Sequence, residues 1–308
     1  MSYVTYNKML TAEPPNPTRT LSQHLPDMPT GLREKTERVL EELKSCGKVI
    51  VAFSGGIDST LVTSLAKIAL DDNAIAVTAD SPSLPSSELE EAKQLAERIG
   101  VRHIVVRTEE LEDPNYVTNP NNRCYFCKKE LSEKLRGLAR ELRVPAIVDG
   151  TNADDMHGHR PGADALSENG VRRPLADAGM TKAEVRQLSQ LLGLPNFNKP
   201  SMPCLSSRIQ YGQTITLERL GRIEKSEKLI RTLTGVHELR VRDHGNLARI
   251  EVGKAERQLF FNEELLDKVG EALREFGFTY IALDLLGYRS GSMNEPLGPN
   301  MRSKLNPA

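Results

Sequence analysis

The chain has 308 residues, with 41 Lys and Arg against 42 Asp and Glu and a formal charge of -1. That balance excludes a global basic field for gripping a nucleic-acid backbone, so a nucleic-acid partner is set aside. No segment reaches the roughly 20 apolar residues that span a bilayer, and the N-terminus carries no apolar leader, so a cytoplasmic protein without a membrane partner is expected. In that compartment the four cysteines are expected to serve metal or sulfur chemistry rather than disulfides.

Residues 1–30, with Pro14, Pro15, Pro17, Pro26 and Pro29, read as an irregular arm. A helix is predicted from Glu34 to Ser45, with Val39, Leu40 and Leu43 on one face and Gly47 as its stop. The run Val49 to Phe53 is short, β-branched and continuously apolar, as a strand covered on both faces must be. Then come a helix from Asp58 to Leu70, a strand from Ala74 to Thr78 and a helix opening at Ser87. Ser87 and Glu90 suit a capping box there. Leu89, Ala92, Leu95, Ala96 and Ile99 form the buried stripe, and Gly100 ends it. His103 to Val106 reads as a strand, Glu130 to Leu142 as a helix, Ala146 to Val148 as a strand and Lys182 to Leu192 as a helix closed by Gly193. This alternation predicts an α/β fold with a doubly wound parallel sheet and sites at the carboxyl ends of its strands.

Beyond Tyr211 the pattern changes. A long helix from Leu217 to Leu233 precedes a hairpin, Leu239 to Arg242 and Ala248 to Val252, turning at Asp243 to Asn246. One or two helices follow between Lys254 and Phe276, then a strand from Tyr280 to Leu285. The expected division is an arm (1–30), an α/β domain (31–208), a smaller α+β domain for substrate or oligomerisation (209–290) and a tail (291–308).

Ser54-Gly55-Gly56-Ile57-Asp58-Ser59 lies between the first strand and a helix, where backbone amides can cradle phosphate. No lysine follows the glycines, so this is not the loop that grips β- and γ-phosphates for γ-transfer. A plain glycine turn capped by Asp58 or Ser59 is the weaker reading. Cys124 and Cys127 form a C-x-x-C just before a predicted helix, and Cys204 stands in a polar segment. Three cysteines suit a [4Fe–4S] cluster that leaves one iron open. Zinc with His157 or His159 as a further ligand, a redox pair, or buried thiols are the rivals. Cys46 reads as a packing residue. Arg240 and Arg242 share one strand face, and Arg249 and Glu251 alternate on the partner strand. Cross-strand ion pairs and an anion site are equally compatible with that pattern. Asp154 and Asp155 suit a catalytic, metal or capping role, Arg160 a substrate grip or a stiff turn, and Glu227 sits in a charge-rich helix.

The hexapeptide resembles the Ser-Gly-Gly-x-Asp-Ser signature of the PP-loop ATP pyrophosphatase superfamily. The resemblance implies that Ser54, Gly55, Gly56, Asp58 and Ser59 hold the pyrophosphate of ATP, with Mg²⁺ near Asp58, while a substrate oxygen attacks the α-phosphorus. Further stretches appear in order: Asp149-Gly150-Thr151-Asn152-Ala153-Asp154-Asp155, Arg160-Pro161-Gly162, Cys204-Leu205-Ser206-Ser207-Arg208 with Tyr211-Gly212, and Arg240-Val241-Arg242 with Ala248 to Glu251. Together they resemble the LarE family of ATP-dependent sulfur transferases of nickel-pincer nucleotide biosynthesis. That resemblance implies a small-molecule nucleotide substrate, pyridinium-3,5-biscarboxylic acid mononucleotide, whose carboxylates become thiocarboxylates. It implies Cys204, Asp58 and Arg208 as catalytic residues, with Ser207, Arg240, Arg242 and Glu227 on the substrate or phosphate side. It also implies the branch in which Cys124, Cys127 and Cys204 hold a [4Fe–4S] cluster, Cys204 is spared, sulfur comes from an external donor, and the chain forms a homo-oligomer such as a hexamer. A tRNA thiolase would share the loop and three cysteines, an amide-forming synthetase the loop alone, and a non-catalytic zinc-stabilised nucleotide-binding protein neither activity.

Overall fold

The structure, a computed structural model, describes residues 28–156, 161–289 and 291–295. The irregular arm up to residue 27, His157, His159, Arg160 and the tail beyond 295 lie outside the described residues. Helix α1 (Thr30–Cys46) ends at Gly47, whose φ of +68° favours glycine. Strand β1 (Val49–Ala52) leads into helix α2 (Ile57–Leu70), β2 (Ala74–Asp80), α3 (Ser86–Ile99) and β3 (Arg102–Arg107). Helix α4 (Arg123–Glu141), β4 (Ala146–Val148), α5 (Pro161–Glu168) and α6 (Lys182–Leu191) complete this half.

The four strands form one parallel sheet in the order β3-β2-β1-β4, with Val51 opposite Ala76 on one side and Val148 on the other. Alternate β1 residues serve opposite faces. Val49, Val51 and Phe53 pack with α1, α2, α3 and α6 through Leu43, Leu61, Leu95 and Leu188. Ile50 joins Ile75, Val77 and Ile147 against Leu131, Leu135 and Ala139 of α4. Helices cover both faces, which is the doubly wound arrangement. The chain steps outward from β1 to β3 and then returns to the other side of β1. The connections after β1 and β4 therefore part, and a crevice opens at their carboxyl ends.

Three local expectations are corrected. Helix α3 starts at Ser86 behind Pro85 with no side-chain cap of its own. The Ser87–Glu90 box gives way to a tertiary cap, in which Glu224 accepts bonds from the Ser86 amide and hydroxyl at 2.6 and 2.7 Å. The capping box of this half stands instead at Thr181 and Glu184, ahead of α6. The C-x-x-C lies inside the first turns of α4, not before it. Phe126 and Cys127 pack there against a small core of Tyr116, Leu205, Ile209, Ile215, Leu220 and Ile223, so tertiary burial extends a helix that local propensity would start later. Helix α5 occupies a segment for which no helix was expected, only an Arg-Pro-Gly stretch suited to a substrate grip or a stiff turn.

The second sheet is built from β5 (Leu239–Asp243), β6 (Leu247–Val252) and β7 (Tyr280–Leu283), antiparallel then parallel. Its apolar face packs on α7 (Leu217–Thr234) and α8 (Glu263–Glu275) through Ile230, Leu239, Val241, Val269, Leu273 and Phe278. Every residue of β5 is buried. Leu239 and Val241 enter the apolar core, while Arg240 and Arg242 face the other way, towards residues 201–207.

Gly150, just past β4, lies so close to α2 that a Cβ there would sit 2.6 Å from the Ser59 amide nitrogen. Gly150→Ala should lower stability by about 1–3 kcal/mol, since backbone cannot yield as a flexible side chain can. The control is Gly137→Ala in α4, where a Cβ meets nothing within 4 Å and about 0.5–1 kcal/mol of stabilisation is expected. Urea unfolding of both variants checks the contrast.

Candidate functional site

The loop after β1 is held by its own serines and by residues packed around it. Thr78 Oγ1 donates to the Phe53 carbonyl at 2.7 Å and so fixes the exit from the strand. Gly55 takes φ +71°, and a Cβ there would press on Ala92 at 3.2 Å, so glycine is required twice over. Ser54 and Ser59 meet through their hydroxyls at 3.1 Å, and Ser59 Oγ donates to the Gly56 carbonyl at 3.0 Å. Gly56 begins α2 without any side-chain cap. The amides of its first turn, at the positive end of the helix dipole, remain available to an anion. Asn196 braces the loop from behind, donating to the Gly55 carbonyl at 3.0 Å and Thr60 Oγ1 at 2.9 Å.

Asp58 rises from that first turn. Asn152 donates to its Oδ1 at 3.1 Å, and Lys182 forms an ion pair with Oδ2. Of the two neighbouring aspartates, Asp154 caps α6 by accepting from the Lys182 amide at 2.8 Å, and Asp155 accepts from the Asn152 amide at 3.2 Å. Asp149 is buried and lines the crevice. Its Oδ2 has no hydrogen-bond partner, and burial pushes its carboxyl above the usual range.

A cleft of about 690 Å³ joins this loop to the cysteines: Ser54, Asp58, Ser59, Asp149, Cys124, Cys127, Lys128 and Cys204 all line it. Burial pushes the Cys127 thiol up to about 12. Burial also raises Cys124, reinforced by the neighbouring Cys204 and opposed by Arg123 and Lys128. Desolvated thiols that discourage one another from ionising are a poor anion set unless a cation comes among them. Among the described residues no group of three or more His, Cys, Asp or Glu side chains is placed to hold a metal ion. Cys46 stays apart, its sulfur accepting from Arg172 at 2.9 Å, in keeping with its reading as a packing residue.

The residues expected to grip substrate prove to be occupied elsewhere. Arg208 has a fully buried side chain. Its guanidinium meets Glu227 through two bonds, at 3.0 and 3.2 Å, and donates to the carbonyls of Pro203 and Cys204, the latter at 2.9 Å. Arg242 pairs with Glu251 at 2.8 Å and donates to the Ser207 carbonyl at 3.1 Å, while Arg240 donates to the Ser201 carbonyl at 3.0 Å. Ser207 Oγ is turned onto the Cys204 carbonyl at 2.7 Å. Arg249 belongs to the same network through Glu251, at 2.9 Å. Ion pairs thus occupy Arg242 and Arg249, while Arg240 meets only carbonyls and the Tyr288 ring; Arg208, Arg240 and Arg242 all bond the backbone on either side of Cys204. Burial, with Arg208 beside it, pushes the Arg240 guanidinium down to about 10, and its Nε has no hydrogen-bond partner.

Lys182, Asn152, Asn196 and Asp149 do not stand out in the sequence as site residues. Asn152 and Asp149 lie inside a recognised stretch, and the Thr181–Glu184 box marks the helix that places Lys182. Asn196 leaves no local signal.

Burial alone would raise the Glu227 carboxyl, but Arg208 and Arg231 outweigh it and hold it below the ordinary value of 4.5. Glu227→Ala leaves Arg208 buried without its carboxylate, and a loss of about 3–5 kcal/mol at neutral pH is expected. A depressed native pKa contributes stability that is complete above the unfolded value and is lost as pH falls through the native one. The gap between wild type and Glu227→Ala should therefore narrow on acidification below pH 4.5, as read by denaturant unfolding across pH.

The asparagine synthase family profile matches residues 32–120. A protein of Synechocystis sp. named only as uncharacterized is 46% identical over 266 residues, which cover 86% of this chain and 99% of that one. The pyridinium-3,5-bisthiocarboxylic acid mononucleotide synthase of Lactiplantibacillus plantarum is 39% identical over 269 residues, 86% of this chain and 96% of that enzyme. The glutamine-hydrolyzing GMP synthase of Aeropyrum pernix is 27% identical over 198 residues, 59% of this chain and 39% of that enzyme.

Proposed function

The chain belongs to the LarE family of PP-loop enzymes, and from that premise we propose that this ATP-using sulfurtransferase converts the carboxylates of pyridinium-3,5-biscarboxylic acid mononucleotide into thiocarboxylates. The observation that carries the reading is the single cleft lined by both the phosphate loop and three cysteines. A chain that only formed amides would have no task for thiols beside its ATP loop.

The residues divide the work as follows. The amides at the start of α2, with Ser54 and Ser59, receive the phosphates of ATP. Asp58 would hold a Mg²⁺, whose charge would screen those phosphates, a role suited to a carboxylate and an oxygen-seeking ion. A substrate carboxylate oxygen attacks the α-phosphorus and pyrophosphate departs. The acyl adenylate then releases AMP as sulfur joins its carbonyl carbon. The buried clamp of Arg208, Glu227, Arg240 and Arg242 keeps Cys204 at the cleft while this happens. In domain terms, 31–208 supplies the ATP chemistry and Arg208, and 209–290 supplies the rest of the clamp.

Cys124, Cys127 and Cys204 fit a [4Fe–4S] cluster by their chemistry: the donor set is all thiol and is gathered in one cleft. Cys124, Cys127 and Cys204 would be the residues that hold the group. When bound, such a cluster supplies an iron with an open position for sulfide. Sulfur then comes from an external donor, and Cys204 is not consumed. The setting is the cytoplasm; among the described residues no helix is long and apolar enough to cross a membrane. A homo-oligomer is supported by Phe261 and Leu285, 80% and 79% exposed on the smaller sheet's flank.

Anaerobic purification should yield roughly four irons and four acid-labile sulfides per chain, lost in Cys124→Ala, Cys127→Ala and Cys204→Ala. Each variant should retain carboxylate-dependent exchange of pyrophosphate into ATP, because the loop is intact. Zinc without iron, or a loss of H2S from Cys204 after turnover in the absence of iron, would overturn the cluster assignment. Failure of the wild type to exchange pyrophosphate with this substrate would overturn the substrate assignment.

A further inference from the structure

We propose that Asp149 forms a cation subsite of the cleft, one that takes the positively charged ring of an N-alkylated pyridinium substrate. The proposal rests on the substrate reading above and names the group that recognises its ring.

Among the described residues three aspartates line the cleft: Asp58, Asp149 and Asp155. Asn152 and Lys182 engage Asp58, and the Asn152 amide engages Asp155. Asp149 keeps one oxygen in reserve. Its Oδ1 accepts from the Thr151 amide at 2.8 Å, while Oδ2 is buried with no hydrogen-bond partner. The residue is 5% exposed, and burial raises its carboxyl against the opposing influence of Thr151, Lys128 and Arg173. Lys128 and Arg173 are near enough to act through their charge, but neither bonds Oδ2. A buried carboxylate oxygen left unmet costs free energy, and a cation brought beside it offsets that cost.

The placement of Asp149 is fixed from both sides. It directly follows β4, and its amide donates to the Arg172 carbonyl at 3.0 Å. Gly150, the next residue, is so close to the Ser59 amide that the backbone abuts the phosphate loop. Towards the other end, Lys128 belongs to α4, the helix that carries Cys124 and Cys127. Asp149 therefore stands between the loop and the cysteines. A substrate carboxylate that is adenylylated at one end and meets sulfur at the other brings its ring into this stretch.

A ring nitrogen bonded to ribose carries a fixed positive charge and no N–H. An anion close by stabilises it, whereas a directed hydrogen bond has nothing to accept from. The hydroxyls of Ser54, Ser59, Thr78, Ser81 and Ser83, which supply much of the remaining polar lining, bring no such charge. A neutral aromatic acid of the same shape leaves Oδ2 bare, so the subsite also discriminates against it.

The test is isothermal titration of the anaerobically purified full chain, as wild type and as Asp149→Asn. The ligands are pyridinium-3-carboxylic acid mononucleotide, its isostere with carbon in place of the ring nitrogen, and ATP. Asparagine keeps an oxygen for the Thr151 amide. The wild type should bind the pyridinium about 10- to 100-fold more tightly than the isostere, the range of a partly screened ion pair. Asp149→Asn should lose that preference, with ATP and isostere affinities unchanged. Equal wild-type affinity for the two mononucleotides would overturn the proposal, and so would a preference that survives in Asp149→Asn. Equal weakening of all three ligands in the variant would also overturn it, since a merely structural role gives that pattern. A wild type that binds ATP but neither mononucleotide would instead overturn the substrate reading beneath it.

Discussion

Arg208 and Glu227 meet where water does not reach, with 0% and 4% of their side chains exposed, and the position of Cys204 depends on that pair. Burying two charges costs several kcal/mol per ion, which their attraction repays only with good geometry and satisfied remaining groups. Both conditions hold. The contact is two-pronged, the free side of Arg208 meets two carbonyls of the Cys204 segment, and Glu227 also accepts from the Val241 amide at 3.0 Å. One ion pair therefore links helix α7, strand β5 and the cysteine-bearing segment. The smaller sheet serves the cleft from behind, as a backing plate with charged rivets.

The same segment is tied on its other flank. Lys199 lies between Glu88 and Glu91 of α3 at 2.7 and 2.8 Å, and the Leu205 amide donates to the Ser83 carbonyl at 2.8 Å. Tyr116 meets Ser206 at 2.6 Å beneath it. Cys204 is thus presented by irregular backbone that is nonetheless constrained on every side. This is how a loop can hold a ligand or reactive sulfur as firmly as a helix does. Cys124 and Cys127 reach the cleft from the start of α4, so the three cysteines line it from two independent supports.

Electrostatically the cleft has two ends with different needs. The phosphate end offers helix amides and keeps Asp58 paired with Lys182, so its charge is balanced before any nucleotide arrives. At the sulfur end burial raises the Cys124 and Cys127 thiols, so these two gain anionic character more readily when a cation displaces their protons.

The sequence by itself determined the α/β half and its phosphate loop. Val49 to Phe53 reads as a two-face-buried strand, Ser54 to Ser59 as a tight glycine turn at a helix start, and the helix–strand alternation points to a parallel sheet. These are local facts, written in hydrophobic period and glycine placement. The three cysteines and the Asp149 to Asp155 stretch were legible as components, and the family resemblance assembled them. What only the tertiary structure decided is where the charges point. Arg240 and Arg242 read as equally good for substrate or for ion pairs, because a strand's alternation tells which side chains share a face but not what that face meets, and Arg208 was placed on the substrate side by the resemblance alone. Glu227, Glu251 and the carbonyls of residues 201–207, distant in the chain, claimed them. Lys182 and Asn196 were silent for the same reason: their partners in the phosphate loop lie more than a hundred residues away, and no local period encodes a contact that only the folded sheet brings together.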